Sequence, residues 1–229
     1  MNSFFNTNAT EINIARIKYF DILGFDLSGK SVLEVGCGAR GDFTKMLLDN
    51  GCHVTSQDAR VQNLTSLKNK FGDTIQYAAY DLNKPDVIHH KYDFILCFGL
   101  LYHLDRPDIG IRNMSLNGRS LLISSIVDPA HGIGLRLERE DVNNFNQSFT
   151  GRGCRPTRHW IMNELNKYYK HVFISLKQPN NKEFPTDWRN LTYSPEKVNT
   201  RAVFFATNDD TVVIDHKIWS KEISDINYY

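Results

Sequence analysis

The sequence lacks paired cysteines. It has four, Cys37, Cys52, Cys97 and Cys154, and none stands in a C-x-x-C or in any paired spacing that zinc requires. No metal site is therefore expected. Cys37, Cys52 and Cys97 lie in or beside apolar runs and read as buried free thiols, which suits a reducing, cytoplasmic setting. Long hydrophobic runs are missing too. None approaches the roughly 18 residues of a membrane span. The start, "MNSFFNTNATEINIARIKYF", has no ordered signal-peptide regions. Neither sign of charge dominates: Lys and Arg number 27, Asp and Glu 26. Proteins that bind by neutralising phosphates carry a basic surplus, so nucleic acid is disfavoured as a partner. No internal repeat is visible. What remains, 229 residues at 41% hydrophobic content, suffices for one sizeable core.

The pattern that is present alternates. A helix is expected over 9–24, where Ile12, Ile14, Ile17, Phe20, Ile22 and Leu23 fall near helical spacing between Thr10 and Gly24. Strands are expected in "SVLEV", "CHVTSQD", "TIQYAAYDL", "KYDFILCF" and "RSLLISSIV". Helices are expected in "FTKMLLDN" and "RVQNLTSLKNKFG", stopped by Gly51 and Gly72. This order gives βαβ units and a parallel sheet with helices on both faces. Its ligand site lies along the C-terminal strand ends. From 128 to 157 periodicity weakens, with four glycines and many charges, and the segment reads as an insertion or lid over that edge. A helix in "RHWIMNELNKYY" follows, then strands in "HVFISLKQ" and "RAVFFATND" separated by a long polar loop. The tail either packs on the sheet or extends away.

The densest signal is "SVLEVGCGARGDF". Gly36, Gly38 and Gly41 form G-x-G-x-x-G between a strand and a helix, so the backbone there must approach a ligand closely. Asp58 closes the second strand about 20 residues later, where an acid binds ribose hydroxyls. Asp81 closes the third strand, a place where classical nicotinamide sites do not generally use an acid. Glu34 precedes the glycines, giving E-x-G-x-G.

As a set, "LEVGCGARGDFT", "VTSQD", "YAAYDL" and "YDFILCFGLLYHL" resemble the successive motifs of class I S-adenosylmethionine-dependent methyltransferases. The resemblance covers roughly residues 28–127. It implies a single domain over 1–229 with a Rossmann-like, doubly wound, seven-stranded, mostly parallel sheet whose last strand is antiparallel. It implies S-adenosylmethionine as cofactor and S-adenosylhomocysteine as product. Carried over by position, Gly36, Cys37, Gly38 and Gly41 would line the methionine part, with Glu34 shaping that pocket. Asp58, with Ala59 beside it, would hold the ribose hydroxyls. Asp81 would accept from the adenine amino group, with Leu82 near the ring, and Cys97 and Phe98 would lie at the methionine end. The third glycine falls one position late, after Arg40.

For the acceptor, His103 in "GLLYHLDRP" follows the fourth strand and suits a base or a substrate ligand, with Tyr102 its neighbour. The insertion adds His131, Arg136, Glu138, Arg139 and Glu140. In "GCRPTRHW", Arg155, Arg158 and His159 gather at a helix start, where N–H groups favour a phosphate or carboxylate; a basic helix cap is the plainer reading. A narrower resemblance, through the C-terminal half, is to a bacterial subgroup that accompanies surface-polysaccharide or secondary-metabolite gene sets. A looser one is to tRNA wobble-uridine enzymes. The expected reaction is methyl transfer to a hydroxyl, less readily an amine, of a sugar, glycan precursor or other polar small molecule. An RNA-modifying enzyme of the same fold, a noncatalytic cofactor-binding partner and a nicotinamide dehydrogenase stay open as alternatives.

Overall fold

A computed structural model describes residues 7–192 and 199–225. Residues 193–198 of the expected polar loop and 226–229 of the tail lie outside the described residues. The chain opens with α1 (Thr7–Leu23), then β1 (Ser31–Val35), α2 (Asp42–Asp49), β2 (His53–Asp58), α3 (Val61–Phe71) and β3 (Gln76–Ala79). Next come β4 (Tyr92–Phe98), a 3-10 turn (Leu101–His103), α4 (Pro107–Asn117) and β5 (Gly118–Val127). A hairpin of β6 (Leu135–Arg139) and β7 (Arg152–Pro156) leads to α5 (Arg158–Leu165), β8 (His171–Ser175), β9 (Thr200–Thr207) and β10 (Trp219–Ser220).

The main sheet runs β10-β8-β9-β5-β4-β1-β2-β3. Strands β1 to β5 pair in parallel, and β9 enters antiparallel between β5 and β8, as expected of the late strands. Side-chain alternation divides the core in two. Val32, Phe94, Phe98, Leu122, Val203 and Phe205 face α1, α2 and α3. Leu33, Val35, Ile95, Ile123 and Phe204 face α4 and α5. The helices accordingly cover both faces.

Two differences from expectation stand out. The sheet has eight strands rather than seven, because the tail returns as β10 on the edge of β8, where buried Trp219 packs 5.6 Å from the Phe205 ring. A two-residue strand carries no periodicity to read. The insertion holds a regular antiparallel hairpin, with Arg136 opposite Arg155 and Glu138 opposite Gly153. Strand β6 does alternate Leu-Arg-Leu-Glu, but the run is only five residues long and Leu135 and Leu137 stay exposed, so it gives little to read. No helix among the described residues is long and apolar enough to cross a membrane.

Candidate functional site

The C-terminal ends of β1, β2, β4 and β5, the α1 helix and the hairpin tip enclose a cavity of about 690 Å³. The glycine loop forms one wall. Gly41 has φ +71°, and a Cβ there would stand 2.6 Å from a Phe71 ring carbon. The late third glycine is thus required both by a left-handed backbone and by the packing of α3 against the loop. Arg40, the residue that displaces it, donates from Nε to Asp42 Oδ2 at 2.8 Å and from Nη1 to Thr10 Oγ1 at 2.6 Å. It ties the loop to α1.

Asp58 anchors the same loop. Its Oδ2 accepts from the Gly38 N–H and from Asn63 Nδ2, both at 3.0 Å, and its Oδ1 from the Arg60 N–H at 2.8 Å. A carboxylate accepts up to about four bonds, so capacity remains for a ligand. Asp81 sits in the turn after β3, with Oδ1 taken by the Asn83 N–H and Nδ2 at 3.0 and 2.9 Å. Gly36, Cys37, Gly38, Asp58, Ala59, Asp81, Leu82 and Phe98 all line the cavity, two open carboxylates beside a glycine-lined wall.

Three residues assigned to that wall lie off it. Gly41 packs behind the loop against Phe71. Cys97 is fully buried on the opposite face of β4, because alternation turns Phe98 toward the cavity and Cys97 away. Glu34 lies beneath the loop. Its Oε2 accepts from Thr44 Oγ1 at 2.5 Å and Ser56 Oγ at 2.9 Å, while Oε1 has no partner. Burial pushes its carboxyl up to about 7 despite those two hydrogen bonds.

On the other side of the cavity the 3-10 turn presents Tyr102 and His103. His103 Nδ1 lies 2.5 Å from Glu140 Oε2, which also accepts from the Ser148 N–H at 2.6 Å. Burial acts to raise the Glu140 carboxyl, but the His103 bond, that N–H and nearby Arg155 outweigh it and hold it below the usual range. The hairpin reaches the turn because Gly153 has no side chain. A Cβ there would stand 2.3 Å from Glu140 Oε1 and 2.5 Å from the Tyr102 carbonyl oxygen. Arg155 contributes to the cavity wall, 2.9 Å from Glu138 and 3.7 Å from Glu140. Tyr102 is half-buried, with the Arg201 guanidinium 5.1 Å from its ring and Arg16 nearby. Burial alone would raise its phenol, yet Arg201, His103 and Arg16 bring it down to about 7.

The remaining basic candidates gather elsewhere. Arg136 pairs with Asp128 and Glu138 on the hairpin. Arg158 stacks 3.9 Å over Trp188 and lies 3.5 Å from Asp225, and His131 lies 3.7 Å from the same carboxylate. Burial, then the charges of Arg158 and His131, lower the neighbouring His159 imidazole. These four are not on the cavity wall. The start of α5 faces the C-terminal segment instead, with Thr157 as its cap.

Sequence reasoning named Glu140 only as one polar residue among several, and it passed over Arg16, Glu183 and Arg201. The signal for Arg16 was an arginine on the apolar stripe of α1 that carries Ile12, Tyr19 and Phe20. For Arg201 it was a charge in phase with Val203 and Phe205.

A doubly wound sheet with a nucleotide-sized cavity at the first crossovers defines a ligand-binding α/β protein. The chain belongs to the methyltransferase-domain family, whose sequence profile matches residues 9–147. With this fold it is a class I S-adenosylmethionine-dependent methyltransferase. Among solved structures it is similar to the N-terminal domain of EvdMO1, crystallised in the presence of S-adenosylhomocysteine and D-fucose. That pair shares 14% identity over 86% of this chain and 82% of the other, with a TM-score of 0.63. An S-adenosylmethionine-dependent methyltransferase from Mesorhizobium loti is similar at 14% identity, 84% and 97% coverage and a TM-score of 0.61. So is the glycopeptide N-methyltransferase MtfA complexed with S-adenosylmethionine, at 12%, 85% and 93%, and 0.57. No curated protein matches the chain in sequence.

Proposed function

We propose that this methyltransferase acts on a hydroxyl group of a polar small molecule, of the sugar or glycan-precursor type. The observation that carries this reading is the His103–Glu140 pair on the cavity wall. S-adenosylmethionine, when bound, supplies an electrophilic methyl group together with its own leaving group. Gly36–Gly38, Asp58 and Asp81 would hold it, the two carboxylates accepting from ribose hydroxyls and the adenine amino group. The protein's remaining work is to position the acceptor and take its proton. With Nδ1 engaged by Glu140, His103 keeps Nε2 for the proton of a hydroxyl. Glu140, ionised and buried, stabilises the imidazolium that forms.

The hairpin acts as a cover within a single domain. Arg60 Nη2 donates to the Val142 and Ser148 carbonyls at 3.1 Å, and its guanidinium lies 5.2 and 5.5 Å from the Phe145 and Phe149 rings. The cavity's size suits a cofactor plus a small acceptor, since such sites span about 300–1,000 Å³. Arg136 pairs with Asp128 and Glu138, and Arg155 with Glu138, so these two charges are matched locally rather than offered to a phosphate backbone. A similar structure obtained with D-fucose supports a sugar-like acceptor.

The test is calorimetry with S-adenosylhomocysteine followed by transfer of labelled methyl groups to a panel of hydroxyl and amine acceptors. Asp58→Ala is expected to weaken cofactor binding by roughly tenfold or more, the scale of a charged hydrogen bond. His103→Ala is expected to leave that binding intact and lower kcat by about 10²–10⁴-fold. Label found only on amines, or turnover unaffected in His103→Ala, would sink the hydroxyl reading.

A further inference from the structure

Two arginines at the cavity floor have no role in the reaction just described. Arg16 comes from α1 and Arg201 from the start of β9. They are 3% and 6% exposed, and both line the cavity. Arg16 Nε donates to Ser124 Oγ at 3.0 Å, and Arg201 Nε to Glu183 Oε2 at 2.6 Å. Arg16 Nη2 and Arg201 Nη1 have no hydrogen-bond partner. Unmade hydrogen bonds on buried guanidinium groups are costly, and a site that keeps two of them is built for an incoming acceptor.

The charges point the same way. Glu183 is the carboxylate that Arg201 contacts, and its Oε1 is already held by Asn8 Nδ2 at 2.9 Å. Two guanidinium charges therefore share one carboxylate. The neighbours register the imbalance. Burial, then the charge of Arg201, lowers Arg16 to about 9. The Tyr102 ring, 5.1 Å from the Arg201 guanidinium and 5.7 Å from that of Arg155, is drawn toward its anion. One negative charge is missing, and a single carboxylate supplies it; a phosphate dianion would overshoot.

Position separates Arg201 from the cofactor wall, while Arg16 stands at its near edge, 5.8 Å over the Phe98 ring and beside Gly99. In the order β9-β5-β4-β1-β2-β3, the glycine loop, Asp58 and Asp81 follow β1, β2 and β3. Arg201 opens β9 and Ser124 lies in β5. Strands are spaced about 4.8 Å apart, so β5 stands about 10 Å from β1, across β4.

We propose that Arg16 and Arg201 form a carboxylate subsite for the methyl acceptor, which is therefore an acidic polar molecule such as a sugar acid or hydroxy acid. The planar fork of guanidinium matches a carboxylate edge. The subsite rests on the methyltransferase reading of the cavity, and its test is separable from it. Glycolate is titrated into the wild-type protein saturated with S-adenosylhomocysteine, followed by calorimetry and by the near-ultraviolet tyrosinate band just above neutral pH. Saturable glycolate binding is expected, with loss of the band as the carboxylate takes over the role of the Tyr102 anion. Neutral glycolamide should do neither. Arg201→Met and Arg16→Met should weaken glycolate by roughly tenfold or more, and Arg201→Lys, which keeps the charge without the fork, by less. If S-adenosylhomocysteine fails to bind the wild type, the functional reading falls and the subsite with it. If it binds and glycolate shows no saturable response, or glycolamide equals glycolate, the subsite alone is overturned. Tight binding of inorganic phosphate without glycolate would overturn the carboxylate assignment.

Discussion

Exchanging Glu34 for glutamine isolates the effect of one buried charge. In the folded chain burial raises this carboxyl from 4.5 to about 7. At about 1.36 kcal/mol per tenfold change in acidity, its ionisation in place costs about 3 kcal/mol of stability. The sign follows from linkage. The folded value is the higher one, so the stabilisation is fully present below about pH 4.5 and is lost as pH rises through about 7. Between pH 5 and 8 the loss comes to about 2.5 kcal/mol. Glutamine keeps a carbonyl oxygen for Thr44 and Ser56 and has no charge to lose. For a domain of this size, 1 kcal/mol moves Tm by about 2–4 °C. Scanning calorimetry of wild type and Glu34→Gln at both pH values should then give a difference between the two pH shifts of about 5–10 °C. Any constant effect of the amide cancels in that difference. Parallel pH profiles for the two proteins would refute the assignment of a buried, ionising Glu34.

Two other outcomes follow from the packing. Gly41→Ala places a methyl against Phe71 at a left-handed φ, and urea unfolding should register a loss of about 1–2 kcal/mol or more. All four cysteines are free and buried, and burial pushes the Cys97 and Cys154 thiols up to about 12. A thiol reagent should therefore titrate four groups only after denaturation, and prompt reaction in the native protein would contradict their burial.

The parallel half of the sheet was legible because its strands are apolar runs whose ends carry the glycines and Asp58. Asp81, just past a shorter β3, was legible for the same reason: a strand end fixes where the next side chain goes. The hairpin was not legible, since the short Leu135–Leu137 alternation of β6 faces solvent and β7 is broken by Gly153 and Pro156. The arginine floor was hidden differently. Arg16 and Arg201 come from opposite ends of the chain, and only the insertion of β9 between β5 and β8 brings them together. The start of α5 misled for a physical reason. A helix N-terminus favours anions wherever it points, and this one points at Asp225.

The hairpin has a bearing on timing. Its tip is fastened to Arg60, two residues from Asp58, and its stem carries Glu140 to His103. The contact that holds the tip and the carboxylate that holds the imidazole are thus one piece of chain. On the reading proposed above, an excursion that frees the tip from Arg60 would also draw Glu140 away from His103, so opening and loss of the oriented base would be a single event.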